Sequence, residues 1–184
     1  MPAAGELRCF GGDDPLYRAY HDEEWGTPLH GDDALFERLC LEAFQSGLSW
    51  ITILRKRPAF RAAFAGFAID AVAEFTPDDE ARLMADAGIV RNRAKIAAAV
   101  RNARAAQELP DGLSDLLWSF APDGSRGRPA TIADVPATTS ESVAMAKELR
   151  HRGFAFVGPT TAYALMQATG MVDDHVADCF RAAG

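Results

Sequence analysis

Two pairs of residues at opposite ends of the chain carry metal-binding chemistry: Cys9 and His21 near the start, His175 and Cys179 near the end. A helix is predicted over Asp173 to Phe180, and on it a His-x-x-x-Cys spacing puts both side chains on one face, a single turn apart. Together the four make a Cys2His2 set, which suits tetrahedral zinc. Four protein ligands leave no position open for water. The set therefore reads as a structural clasp holding the first twenty residues to the last ten, which would otherwise fray. A zinc hydrolase would instead need water in place of one ligand. Asp22, Asp174 and Asp178 are placed to accept from the imidazole N–H groups. The competing reading is four side chains that share no ion, since no C-x-x-C supports them. Cys40 has no ligand-like neighbours and reads as core.

Glu42 is the most informative carboxylate. On a helix opened by Asp32 and Asp33, positions 35, 39 and 42 share a face, and Leu35 and Leu39 are apolar. Glu42 then points inward, where an ionised carboxylate is costly unless it is paired or used, and where burial raises its pKa. Tyr17, Tyr20, Trp25 and Trp50 are the aromatic candidates to line a pocket around it. The alternatives are a Glu42 that reaches water at the edge of the apolar stripe, and aromatic residues that serve the core.

Residues 150–170 read RHRGFAFVGPTTAYALMQATG. Gly153 and Gly158 bracket a short apolar turn, and Pro159 suits the first position of a helix. Free backbone N–H groups at that helix start, Thr160 among them, suit a phosphate. This arrangement over 140–170 resembles the helix–hairpin–helix pattern, a sequence-independent binder of DNA backbone. An ordinary tight connection between two helices is the alternative.

These groups must be positioned by helices. The chain has 184 residues, 48% hydrophobic and 24% charged, and is rich in Ala, Leu, Arg and Glu. It shows no run of alternating β-branched residues, so an all-α fold in a single domain is predicted. Helices are expected over Pro15 to Glu24, from Asp32 to the break at Ser46–Ser49, over Trp50 to Leu54, from Pro58, from Pro77 to a left-handed cap at Gly88, over Arg91 to Gln107, Leu113 to Phe120, Ser140 to Arg150 and Pro159 to Thr169. Residues 121–136 read as a long loop. The longest apolar runs are too short to span a membrane, the start carries no secretory signal, and three cysteines make no disulfide framework. The expected location is the cytoplasm. A net charge of -7 with a pI near 5.1 argues against nucleic acid, but only weakly, because binding depends on local patches. Basic clusters stand at Arg55, Lys56, Arg57 and Arg61; at Arg91, Arg93 and Lys95; and at Lys147, Arg150, His151 and Arg152. Solvated helix faces are the plainer reading of each.

Nearly the whole chain resembles the DNA-3-methyladenine glycosylase I family of bacteria. The resemblance is carried by RCF near the start, DPLYRAYHDEEWG at 14–26, LFERLCLEAFQSGLSWITILRKR at 35–57, DAGIVRNRAKI at 86–96 and RGFAFVGPTTAYALMQATGMVDDHVADC at 152–179. It implies an all-α helix–hairpin–helix glycosylase fold, with residues 1–31 and 171–184 paired as a zinc-clasped lobe. The ligands it implies are Cys9, His21, His175 and Cys179. It also implies base recognition by Glu42 with Tyr20 and Trp50, and with Tyr17 and Trp25 close by. Two departures stand out. Family members often carry Trp soon after the first cysteine, where this chain has Phe10-Gly11-Gly12, and Phe10 is the candidate substitute. Asp173 occupies a position where related glycosylases of the superfamily keep a catalytic Asp and members of this family often have Asn. It is a candidate stabiliser of the sugar cation, or a helix cap. The implied activity is monofunctional hydrolysis of the N-glycosidic bond of 3-methyladenine in double-stranded DNA. It follows base flipping, by a monomer with structural zinc, Leu48 being the candidate wedge and no lysine standing out for a lyase step. A DNA-binding module without catalysis is the alternative.

Overall fold

Asp14 opens the first helix, α1 (Pro15–Glu23): its carboxylate accepts from the backbone N–H of Leu16 and Tyr17 at 3.0 and 3.1 Å, and Pro15 fills the first helical turn. The computed structural model describes residues 7–124 and 127–183. Over these it is all-helical, with no strand. Residues 1–6 and 184 of the expected terminal lobe, and 125–126 of the expected loop, lie outside the described residues.

The remaining helices are α2 (Asp32–Gln45), α3 (Trp50–Ala63), α4 (Ile69–Ala73), α5 (Pro77–Ala85), α6 (Arg93–Gln107), α7 (Gly112–Trp118), α8 (Ser140–His151) and α9 (Pro159–Ala168). The central element is α2: every residue from Leu35 to Phe44 is buried, and it touches α3, α4, α6, α7 and α9. Asp32 and Asp33 do begin it. Their carboxylates serve other elements, however, accepting from the backbone N–H of Ser114 in α7 and of Ile69 in α4, each at 2.8 Å. An aromatic ladder of Phe44, Phe60, Phe64, Phe67 and Phe75 fills the space between α2, α3 and α4.

Three expectations are corrected. The segments expected at Trp50–Leu54 and from Pro58 form one helix, α3, with Pro58 inside it. The ring removes one backbone hydrogen bond, and burial of Ile53, Leu54, Phe60 and Ala63 holds the helix through it. Gly88 is not a left-handed cap: α5 ends at Ala85, and Gly88 instead lies so close to Ala59 that a Cβ would come within 3.0 Å of the alanine methyl. The expected helix over Asp173–Phe180 does not form. Asp173 bonds the backbone N–H of His175 at 3.2 Å, a local turn that competes with a helix, and only Phe180–Ala183 winds into a short 3-10 turn. Within 121–136, residues Ile132–Asp134 form another 3-10 turn, closed by reciprocal bonds between Thr131 and Asp134.

The two ends of the described chain meet. Phe180 N–H donates to the Leu7 carbonyl at 3.1 Å, Val176 N–H to the Cys9 sulfur at 3.3 Å, and Arg181 to the Thr27 hydroxyl at 3.0 Å. Beneath this junction a small second core gathers Tyr20, Trp25, Leu54 and Ala168, with Phe10, Tyr17, Trp50 and Ile51 packed against it.

Candidate active site

The second core carries a cavity of about 340 Å³ on its surface, lined by Phe10, Tyr17, Tyr20, Trp25, Glu42, Gln45, Trp50, Ile132, Val135, Ala164 and Gln167. Its size lies in the range of small-ligand sites, about 300–1,000 Å³. Helix α1 supplies the tyrosines, α2 supplies Glu42 and Gln45, α3 opens with Trp50, and α9 closes the wall with Ala164 and Gln167. All four aromatic residues expected around Glu42 are here. Phe10 completes the wall, its ring 4.9 Å from Tyr17 and 5.0 Å from Trp25 between centroids. Gln45, Ile132, Val135, Ala164 and Gln167 were not anticipated. The first and last are single polar residues on helices, and Ile132 and Val135 come from a loop without periodicity.

Glu42 is only 5% exposed, which excludes the water-facing alternative. No described residue hydrogen-bonds its carboxyl oxygens. Burial pushes the carboxyl up to about 8, against the opposing pull of Arg38. The Glu42 charge in turn adds to burial in raising the Tyr17 and Tyr20 phenols. An acceptor without a partner is thus held among aromatic faces, an arrangement suited to a flat cation or to N–H donors.

This burial has a measurable cost. Between about pH 4.5 and 8 the folded chain keeps the Glu42 proton that the unfolded chain releases. Stability therefore falls as pH rises through that window and levels off above it. Glu42→Gln removes the penalty. Its melting temperature should exceed the parent's at pH 8, by a stability difference of roughly 2–4 kcal/mol, and converge with it towards pH 4.5. Thermal melts across that range check this, and a gap independent of pH would mean a solvated carboxyl.

Below the cavity lies a chain of ion pairs. Arg38 pairs with Glu24, which also meets Arg57 at 2.8 Å; Arg57 reaches Glu37 at 2.7 Å, and Arg61 meets Glu37 at 3.0 Å. Arg38 also lies over the Tyr20 ring at 5.6 Å. Two members of the first basic cluster, Arg57 and Arg61, are thus engaged internally. Lys95, from the second, is buried and donates to the carbonyls of Phe44 and Ser46 at 3.0 and 2.7 Å. Together with Gln45, which donates to the Leu48 carbonyl at 2.7 Å, it holds the turn between α2 and α3. Leu48 stands on that turn, 39% exposed and outside the cavity lining.

Beside the cavity, the ligand atoms of Cys9, His21 and Cys179 lie within 4.8 Å of one another. Cys179 Sγ is 3.4 Å from His21 Nε2. His175 stands next to this group, its ring 5.2 Å from that of His21, and its buried Nε2 has no partner among the described residues. Each histidine turns its Nδ1 to a carboxylate, His21 to Asp22 at 2.8 Å and His175 to Asp173 at 2.7 Å, so that Nε2 is the atom each could offer to an ion; His21 Nε2 here accepts from the Cys9 N–H at 3.2 Å. The second of these carboxylates was not among those anticipated. Asp174 bonds Tyr163 and Gln167 instead, and Asp178 is exposed. Gly26 permits the approach of the ring: a Cβ there would sit 2.6 Å from His175 Cε1.

Asp173 lies outside the cavity. Beyond its bonds to His175 it pairs with Arg128 at 3.0 Å, and the hollow it lines is a separate one.

The turn between α8 and α9 is anchored by buried Phe154 and Val157 and by Asn102, which exchanges bonds of 2.7 and 3.0 Å with Ala155. Gly153 takes φ +94°, open to glycine, and its carbonyl accepts from Arg101 at 2.6 Å. Gly158 caps α9 without a side-chain bond and Thr160 is exposed in the first turn, so N–H groups there remain free. Arg152 and His151 both face Glu148, whereas Arg91, Arg93 and Lys147 are exposed with no ion pair among the described residues.

A model of the methyladenine glycosylase family matches residues 10–182. The chain belongs to that family. It is 47% identical over 170 residues to DNA-3-methyladenine glycosylase 1 of Escherichia coli (strain K12), covering 90% of this chain and 91% of that protein. A crystal structure of 3-methyladenine DNA glycosylase I superposes with a TM-score of 0.91 at 44% identity, over 95% of this chain and 98% of the other. A structure showing the basis of 3-methyladenine recognition by the Staphylococcus aureus enzyme gives 0.89 at 36% identity, over 94% of each chain. In this methyladenine glycosylase chain, no helix among the described residues is long and apolar enough to cross a membrane.

Proposed function

We propose that this chain is a DNA repair glycosylase that hydrolyses the N-glycosidic bond of 3-methyladenine in alkylated double-stranded DNA. It would act as a single-domain monomer in the bacterial cytoplasm. The observation that carries this reading is the unpartnered, buried Glu42 carboxyl in an aromatic cavity of a family member.

The target base cannot be reached inside a duplex and must be flipped out. The turn between α8 and α9 serves as a helix–hairpin–helix element: Gly153, Gly158 and the free N–H groups from Thr160 onward hold backbone phosphates without reading sequence. Leu48 fills the vacated stack from a turn made rigid by Lys95 and Gln45. Leu48→Ala should lower release of base from duplex by about tenfold, the cost of an unfilled stack, and leave release from single-stranded methylated DNA unchanged. Equal losses on both substrates would remove the wedge role.

Methylation at N3 makes the nucleobase cationic. Tyr20 and Trp50, with Phe10, Tyr17 and Trp25, bind it through their faces, and Glu42 ionises to balance its charge or accept from its N–H groups. As the bond from N9 to C1′ breaks, the electron pair goes to the base, which leaves neutral. Positive charge develops on the sugar, where a carboxylate stabilises it. Water then adds to C1′ and loses a proton. No lysine among the described residues lines the cavity, and the proposed reaction carries no lyase step. A sugar-cation role for Asp173 is a second proposal. Its bonds to His175 and Arg128 favour the orienting role.

The metal group fits zinc. Two thiols and two imidazoles form the donor set, the orphaned His175 Nε2 needs a partner, and both Nδ1 atoms are already committed to carboxylates. Cys9, His21, His175 and Cys179 would hold the ion. Its contribution is structural, tying residues 1–31 to 171–184 as one lobe beside the cavity. The experiment that tests the function is incubation with methylated duplex DNA and identification of the released products. Free 3-methyladenine is expected; intact DNA with no free base would overturn the reading.

A further inference from the structure

We propose that Gln167 is a specificity residue: Asp174 locks its side-chain amide so that the carbonyl oxygen is presented to the cavity as an acceptor for the exocyclic amine of a 6-aminopurine. The inference rests on the reading of the cavity as the site of the methylated base.

Gln167 lies in the last turn of α9 and lines the cavity with Tyr20, Glu42 and Trp50. Its Nε2 donates to Asp174 Oδ2 at 2.8 Å, and the Tyr163 hydroxyl donates to the same oxygen at 2.5 Å. Asp174 and Tyr163 are both buried. A carboxylate oxygen only accepts, so the amide must turn its nitrogen towards Asp174 and its oxygen the other way. Its main chain is fixed as well, since Gly26 N–H donates to the Gln167 carbonyl at 3.0 Å. The side-chain oxygen has no donor among the described residues.

A locked acceptor on a cavity wall discriminates by chemistry. An amine at position 6 of a purine donates to it. A carbonyl at position 6 sets acceptor against acceptor and leaves both unsatisfied, which is how buried polar groups reject near-isosteres. Glu42 cannot make this distinction alone, because it exchanges a proton and so can either donate or accept.

The test titrates the full chain with free 3-methyladenine and with 3-methylhypoxanthine, its 6-oxo counterpart, following the fluorescence of Trp25 and Trp50. The parent should prefer the amino base by about tenfold or more. Gln167→Met keeps the size of the side chain and should erase most of that preference. Asp174→Asn lets the amide turn over and should shrink or invert it. A merely structural role would weaken both bases alike and leave their ratio unchanged. Should Asp174→Asn fail to fold, Gln167→Met decides alone. A Gln167→Met variant with the parent's preference would overturn the inference while leaving the glycosylase reading intact. A parent chain that releases no 3-methyladenine from methylated DNA would instead remove that reading, and the inference with it.

Discussion

Glu42→Gln is expected to reduce release of 3-methyladenine by about a hundredfold or more. The magnitude follows from where the carboxyl sits. It has no hydrogen-bond partner among the described residues, it is buried in the wall of an aromatic cavity, and the lowered local dielectric makes its charge more effective on a nearby cation than it would be in water. Glutamine keeps the shape and one acceptor but removes the charge. The base then loses its counter-charge, and the developing sugar cation loses a stabilising field. Affinity for undamaged duplex should stay unchanged, because the phosphate contacts assigned to Gly153, Gly158 and Thr160 are made by a separate turn. The same variant should melt higher than the parent at pH 8, since it is relieved of a buried group whose pKa stands near 8. A variant that is more stable yet far less active separates function from folding, a trade expected where a site stores a destabilising group. Near-parental release by Glu42→Gln, measured under single-turnover conditions, would refute the assigned role.

The site was legible where it follows helical periodicity. Glu42 could be placed inward because Leu35 and Leu39 share its face, and Tyr17 and Tyr20 lie one turn apart on α1. Spacing alone could not bring these helices together; the family resemblance did that. Cys9, His21 and Cys179 converge, yet the reason read from His-x-x-x-Cys was wrong, because the segment from Asp173 is a turn and not a helix. A short polar side chain that can bond its own backbone decided the matter locally. The ion pairs joining Arg38, Glu24, Arg57, Glu37 and Arg61 were illegible for a different reason. They cross three helices, and charges at such spacing look like ordinary solvated faces. Lys95 was misread in the same way: grouped with Arg91 and Arg93 as a basic patch, it is buried and bonded to two carbonyls. Gln167 carried no signal at all, because its meaning depends on Asp174, seven residues away and beyond the end of its helix.

Removing the proposed zinc should be the most destabilising single change. Residues 7–27 carry Phe10, Tyr17, Tyr20 and Trp25, and apart from the small second core they are tied to the C-terminal segment by a few hydrogen bonds such as Phe180 to Leu7. Without an ion, the His175 Nε2 and the Cys179 thiol are buried polar groups with poor partners, and the Cys9 thiol beside them is half-buried. Their desolvation then opposes folding instead of being offset by ligation. Cys179→Ala, or exhaustive chelation of the purified protein, should lower stability by about 3–5 kcal/mol, a fall of roughly 6–20 °C in Tm for a chain of this size. Zinc should be found at one equivalent in the parent by elemental analysis and be lost from Cys179→Ala, whereas Cys40→Ala should retain it. Base release should fall together with the metal, because the wall holding the aromatic rings is the segment that the proposed ion would secure. A metal-free chain that melts at the parent's temperature and still releases base would show that the four ligands are not a clasp, and that the second core alone holds the aromatic wall in place.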